Sequence, residues 1–318
     1  MMDMLKRAAD VAVRVCMGIK QGETVLIVVD APERNIGYAL FDAAREAGAE
    51  AMLLEILPRA MHGEEPPPQV AELMRMVDVI LAPTSRSLTH TEARRRACEE
   101  GVRVATLPGI TEEVMARTLE ADYYEIARRS TTLAEILTGG RSALVTSPSG
   151  TELSLDIEGR KGYADTGLYH NPGDFGNLPA GEAFLAPVEG KAEGVVVVDG
   201  SMAGVGLLEE PIRLFVEGGL VRKIEGGKEA DVLRKVLEPY GDMGRNVAEL
   251  GVGTNERARI TGVVLEDEKV LGTVHIALGD NASMGGRVKV PVHLDGVLLR
   301  PTLEVDGRVV LKDGILKL

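Results

Sequence analysis

The chain has 318 residues, room for about two domains at roughly 150 residues each, and its 45% hydrophobic and 27% charged residues are globular proportions. Those figures exclude disordered and fibrous classes, and the longest apolar runs, Val25–Val29 and Val195–Val198, fall far short of the roughly 20 residues that cross a bilayer. A formal charge of −13, 3% aromatic residues and no tryptophan argue against nucleic-acid binding, which needs a cationic face and stacking platforms.

Residues 1–20 mix Lys6, Arg7, Asp10 and Arg14 with apolar positions, which predicts an amphipathic helix rather than a signal peptide. Cys16 and Cys98 sit in no CxxC and are assigned to helix packing in a reducing compartment. A cytoplasmic protein without membrane partners is the expectation. Next come alternating strands and helices: Thr24–Val29 as strand, Arg34–Ala47 as helix, Glu50–Leu57 as strand, Val70–Met76 as helix and Val77–Ala82 as strand. Thr89–Glu100 as helix and Val102–Leu107 as strand complete a parallel, doubly wound pattern, followed by a helical stretch Thr111–Leu137 broken near Asp122. The first turn, Asp30-Ala31-Pro32-Glu33-Arg34-Asn35, lacks GxGxxG, so dinucleotide binding there is disfavoured. Arg94-Arg95-Arg96, with Glu99 and Glu100 close behind, reads as a solvated helix face.

Beyond Gly139–Gly140 the texture changes to short β-branched runs punctuated by glycine. Strands are predicted at Ala143–Thr146, Glu152–Ile157, Gly194–Asp199, Ile212–Val216 and Leu220–Ile224, then one helix, Lys228–Leu237. Gly272–Leu278, Val288–His293, Leu303–Val305 and Val309–Lys312 resume the strands. The expected architecture is an α/β domain over 1–140 followed by a predominantly antiparallel β domain over 141–318.

Of five histidines, His62, His90 and His170 fall in loops or at helix starts, while His275 and His293 fall in strands. A period of two sends His275 to one face with Thr273 and Ala277, and sets His293 beside Asp295. Imidazoles and a carboxylate on one polar face suit a divalent metal. A lone His-x-Asp is more often a surface pair, but Glu182 and Glu249 also lie among apolar residues, where a carboxylate needs a partner or a cation.

At these residues the chain resembles the M29 metallopeptidases, the aminopeptidase T and aminopeptidase S family. The matching blocks, in the family's order, are NLPAGEAFLAP (177–187), ELGVGTN (249–255), GTVHIALG (272–279) and HLD (293–295). The resemblance implies a Rossmann-like N-terminal domain, and a site for two divalent ions, such as zinc, cobalt or manganese, held by Glu182, Glu249, His275, His293 and Asp295. It further implies a homodimer acting on a small peptide or amide through a metal-activated water, with Glu249 or Glu182 as the base. The family's tyrosine after the first histidine has no counterpart in Gly279–Gly286 and the chain is short for the family, so weak hydrolysis of standard aminoacyl substrates is expected. The alternative is a related branch, the 2,5-dihydroxypyridine dioxygenases, in which a single Fe(II) would be held by His275, His293 and Asp295. A metal-binding relative without turnover is the third reading.

Overall fold

The computed structural model describes residues 2–318. The amphipathic N-terminal segment forms α1 (Met2–Asp10) and then a wider turn, Val11–Cys16, rather than one continuous helix. Alternating elements follow: β1 (Thr24–Val29), α2 (Arg34–Glu46), β2 (Glu50–Glu55), α3 (Pro68–Met74), β3 (Val79–Ala82), α4 (Glu92–Glu99) and β4 (Arg103–Thr106). The predicted break near Asp122 separates α5 (Glu112–Thr118) from α6 (Tyr123–Gly139). Thr91 and Thr111 cap α4 and α5 by accepting from Arg94 N and Val114 N, which is why those helices start there.

The rest is mostly strand: β5 (Ser142–Thr146), β6 (Glu152–Asp156), β7 (Tyr163–Asp165), β8 (Phe175–Asn177), β9 (Glu182–Leu185), β10 (Glu193–Val198), β11 (Ser201–Met202) and β12 (Gly206–Leu207). After β13 (Ile212–Glu217) and β14 (Leu220–Glu225) come α7 (Lys228–Leu237), α8 (Gly241–Gly244), β15 (Val247–Gly253), α9 (Val264–Asp267) and β16 (Val274–Gly279). The chain closes with β17 (His293–Leu298), β18 (Thr302–Val305), β19 (Arg308–Lys312) and β20 (Ile315–Leu316).

Two units emerge, Met1–Glu125 with Gly167–Ala180, and Ile126–Thr166 with Gly181–Leu318. The first holds a parallel sheet in the order β2-β1-β3-β4-β8, so a strand from beyond residue 140 completes it. Leu26, Val28, Ile80 and Val104 of that sheet pack with Val70, Met74 and Ala97 of its helices. Arg95 and Arg96 are solvated and pair with Glu92. Arg94 departs from the expected solvated face: it is buried, with its guanidinium 3.8 Å from the centre of the Phe175 ring.

The second unit holds an eight-stranded sheet, β14-β13-β10-β6-β5-β18-β19-β20, and a seven-stranded sheet, β12-β11-β17-β16-β15-β9-β7. Leu250, Val252, Ile276, Leu278 and Leu185 of the second sheet share one core with Val145, Leu153, Val196 and Leu214 of the first. The mixed α/β architecture, a parallel sheet and then antiparallel sheets, is the predicted fold class. One strand is corrected: residues 288–292 are not in the ladder, which runs instead from His293 to Leu298. Pro291 has no N–H to offer a ladder, and Val288 N and Val290 N donate to the Asn281 and Asp280 side chains. No helix among the described residues is long and apolar enough to cross a membrane.

Candidate metal centre

Strand register puts the predicted residues on one face. Across β9, β15, β16 and β17 the pairs are Glu182↔Gly253, Gly251↔His275, Glu249↔Ala277, Ala277↔Asp295 and Gly279↔His293. Directly paired residues of antiparallel strands point to the same side, so five charged or imidazole side chains share a face with Gly251, Gly253, Ala277 and Gly279, and with Phe184 and Val297 opposite Gly251 and His275. The opposite face carries Leu250, Ile276 and Leu294 into the core. Gly251 and Gly253 are strand residues. A Cβ on Gly251 would overlap His275 Nε2, and one on Gly253 would overlap the Val270 carbonyl. The imidazole therefore lies across the neighbouring strand where only glycine leaves room.

The side chains meet through Glu249. His275 Nε2 is 3.2 Å from Glu249 Oε1 and 3.2 Å from Glu182 Oε2. His293 Nε2 is 3.2 Å from Glu249 Oε2 and 3.3 Å from Asp295 Oδ1. Two groups capable of holding a metal result, Glu182–Glu249–His275 and Glu249–His293–Asp295, with Glu249 common to both. Glu182, Glu249, His275 and Asp295 are buried, whereas the His293 side chain is 33% exposed. Neighbouring ligands at about 2.1 Å from one ion stand about 3 Å apart, close to these separations.

The hydrogen bonds suit a cation as well. His293 Nδ1–H donates to the Asp280 carbonyl at 2.8 Å, which aims Nε2 at Glu249 and Asp295. Glu182 Oε2 is buried without a hydrogen-bond partner, and so is His275 Nδ1. Burial disfavours a charged imidazole, yet Glu182 and Glu249 outweigh it at His275, and Asp295 and Glu249 do so at His293, holding both well above the ordinary histidine range. Against burial, which would raise them, the partners keep Glu182, Glu249 and Asp295 below the usual carboxylate range. A face that draws protons onto two imidazoles is short of positive charge, and a divalent ion would supply it.

Sequence reasoning missed Lys269, Glu268 and Asp165. Lys269 Nζ is 2.6 Å from Glu182 Oε1, 2.7 Å from Glu268 Oε1 and 3.6 Å from Asp165 Oδ2. In the string Leu265-Glu266-Asp267-Glu268-Lys269 a lysine looks like surface, and nothing in the spacing marks it as buried. Burial pushes the Glu268 carboxyl up to about 8; Lys269 opposes that shift and Asp295 and Glu182 add to it. Of the remaining histidines, His62 Nδ1 accepts from Ser87 N and His170 Nε2 donates to the Val15 carbonyl, both structural roles.

Comparison with known proteins decides the family. The model of the family described as NicX, 2,5-dihydroxypyridine 5,6-dioxygenase, matches residues 6–317. This chain belongs to that family. A 2,5-dihydroxypyridine 5,6-dioxygenase from Pseudomonas putida is 27% identical over 240 residues, 71% of this chain and 68% of that protein. The solved structure of the dioxygenase from Pseudomonas putida superposes with a TM-score of 0.85 at 21% identity, over 98% of this chain and 96% of that one. AmpT from Thermus thermophilus superposes with a TM-score of 0.72 at 18% identity, over 99% of each chain. Both structural likenesses are likenesses of fold.

Membership of the dioxygenase family corrects the M29 assignment and the metalloaminopeptidase-like hydrolase reading built on it. The physical reason is that the matching blocks encode the strands and the polar face, and a face of carboxylates and imidazoles on a shared fold serves more than one chemistry. The peptide substrate, the metal-activated water and the choice of zinc, cobalt or manganese came with that assignment and fall with it. A metal cofactor remains in keeping with the family and with the two ligand groups.

Proposed function

We propose that this chain is a dioxygenase of a dihydroxylated pyridine, the activity in its relatives' names, that it depends on iron(II) and opens the ring, and that His275, His293 and Asp295 hold one ion. The observation that carries this reading is the dioxygenase family match along residues 6–317. Two imidazoles and a carboxylate with room for further ligands are the donor set of non-haem iron oxygenases. When bound, Fe(II) supplies the one-electron chemistry by which dioxygen reacts with a closed-shell ring.

The chain's own residues prepare and hold that site. Asp280, through its carbonyl, fixes the His293 ring with Nε2 inward. Gly251 gives the His275 ring its resting place. Glu249, between both imidazoles, positions them and is the base placed to take the proton that a ring hydroxyl gives up on binding. Burial of Glu182, Glu249 and Asp295 keeps water from the reacting atoms, while the partly exposed His293 marks the side open to substrate.

The test is oxygen uptake by protein loaded anaerobically with Fe(II), with 2,5-dihydroxypyridine as substrate. One O2 consumed per ring opened, lost in His293→Ala, is the expected result. Iron-loaded wild type that consumes no oxygen with this or another dihydroxylated pyridine overturns the reading.

A further inference from the structure

Lys269 is among the most deeply buried charged side chains described, 2% exposed. Burying an ammonium is expensive unless paired charges surround it, and here Glu182, Glu268 and Asp165 do so at 2.6, 2.7 and 3.6 Å. Asp165 and Glu182 are register partners on β7 and β9, so their carboxylates come from the same sheet face as the histidines. Lys269 itself comes from outside the sheet, in the segment after α9.

Its position is fixed by the main chain. Asn255 N donates to the Lys269 carbonyl at 2.8 Å, Leu271 N donates to the Asn255 carbonyl at 3.0 Å, and Lys269 N donates to the Glu266 carbonyl at 3.0 Å. The segment lies against Gly253 so closely that a Cβ there would run into Val270 O and Lys269 C. Glycine at 253 thus lets the lysine segment rest on the strand that carries Glu249, as glycine at 251 does for His275.

The consequence concerns how many ions the face holds. Glu249 is common to two ligand groups, a pattern that by itself would admit an ion on either side. In the Glu182–Glu249–His275 group, however, Glu182 has already given one oxygen to the ammonium. We propose that Lys269 stands in for a second metal: its ammonium pairs with Glu182, Glu268 and Asp165 where a second ion would sit, and limits the centre to one divalent ion. This rests on the single-ion reading above and supplies its physical cause, making Lys269 a positioning and stoichiometry-setting residue rather than one that touches substrate.

Mn(II) is the probe, because it reports both number and nuclearity without oxygen chemistry. Wild type and Lys269→Arg, saturated with Mn(II) and freed of excess, should hold about one ion per chain by elemental analysis and give the spectrum of an isolated ion in electron paramagnetic resonance. Lys269→Ala should hold about two and show exchange coupling, because Glu182 and its acidic neighbours lose their cation. Two ions in wild type, or one in folded Lys269→Ala, overturns the proposal. A Lys269→Ala chain that cannot be recovered folded even with millimolar Mn(II) also counts against it, since a second ion should replace the ammonium. The oxygenase reading fails on a different measurement, the absence of oxygen uptake by iron-loaded wild type, so the two failures are distinguishable.

Discussion

The imidazole of His275 lies over the backbone of Gly251, its register partner on β15, so closely that any Cβ at 251 would collide with Nε2. In this strand pair the glycine is a seat for a functional ring. Gly251→Ala should therefore leave the sheet paired but push the ring off its line to Glu249 and Glu182. Loss of a group that orients a ligand typically lowers metal affinity by about 10–100-fold, and a drop in that range is expected in an Fe(II) or Mn(II) titration. Unchanged affinity in the folded variant would show that the ring does not need this seat.

Metal removal should destabilise the protein. The face collects Glu182, Glu249 and Asp295 in a buried setting, and an ion bound only by the folded chain adds about 2.7 kcal/mol when present at about 100 times its dissociation constant. Thermal unfolding with and without a chelator should show a lower midpoint for the stripped protein, and His293→Ala should show little further response to chelator. Equal midpoints for stripped and loaded wild type would contradict a bound ion at this face.

The same face gives metal affinity a definite pH dependence. His275 and His293 are held protonated by their carboxylate neighbours well above the ordinary histidine range. Binding at Nε2 must expel those protons, so affinity should rise with pH by about tenfold per unit for each proton released, until the raised values are passed. For the metal-free chain the sign reverses: a raised histidine stabilises the fold fully below its unfolded value, and that contribution is lost as pH climbs through the folded value. Affinity that stays flat between pH 6 and 8 would mean the imidazoles are already neutral.

A second pH effect belongs to the first unit. Glu33 is buried with Oε2 unpartnered, and burial together with a hydrogen bond and charge from Asp30 pushes its carboxyl up to about 8 from 4.5. Between those values the folded chain keeps a proton that the unfolded chain has lost, so stability falls as pH rises through this window. Glu33→Gln should remove that slope and raise stability at pH 8 by roughly 1–3 kcal/mol. Parallel melting curves for the two proteins from pH 5 to 9, with no gain for the variant at the alkaline end, would refute the assignment.

The sequence by itself determined the layers and the shared face. A doubly wound pattern up to residue 110 and glycine-punctuated β runs beyond 140 are local signals, because periodicity of 3.6 or 2 follows from backbone geometry alone. The same period put His275 with Ala277 and His293 with Asp295, and the register of β16 with β17 agrees. Strand ends were less legible, as at Val288–His293, where side chains of Asp280 and Asn281 take the donors a ladder would use. Only the tertiary structure decided what surrounds the face: Lys269 on Glu182, Asp165 paired across to β9, and glycines at 251 and 253 acting as seats within a strand. These come from segments as far apart as Asp165 and Lys269, and a charge is recognised as buried only once the chain has closed around it. The chemistry was hardest to read. Carboxylates and imidazoles at these positions fit a hydrolase or an oxygenase equally well, and what separated the two was the match of residues 6–317 to the dioxygenase family.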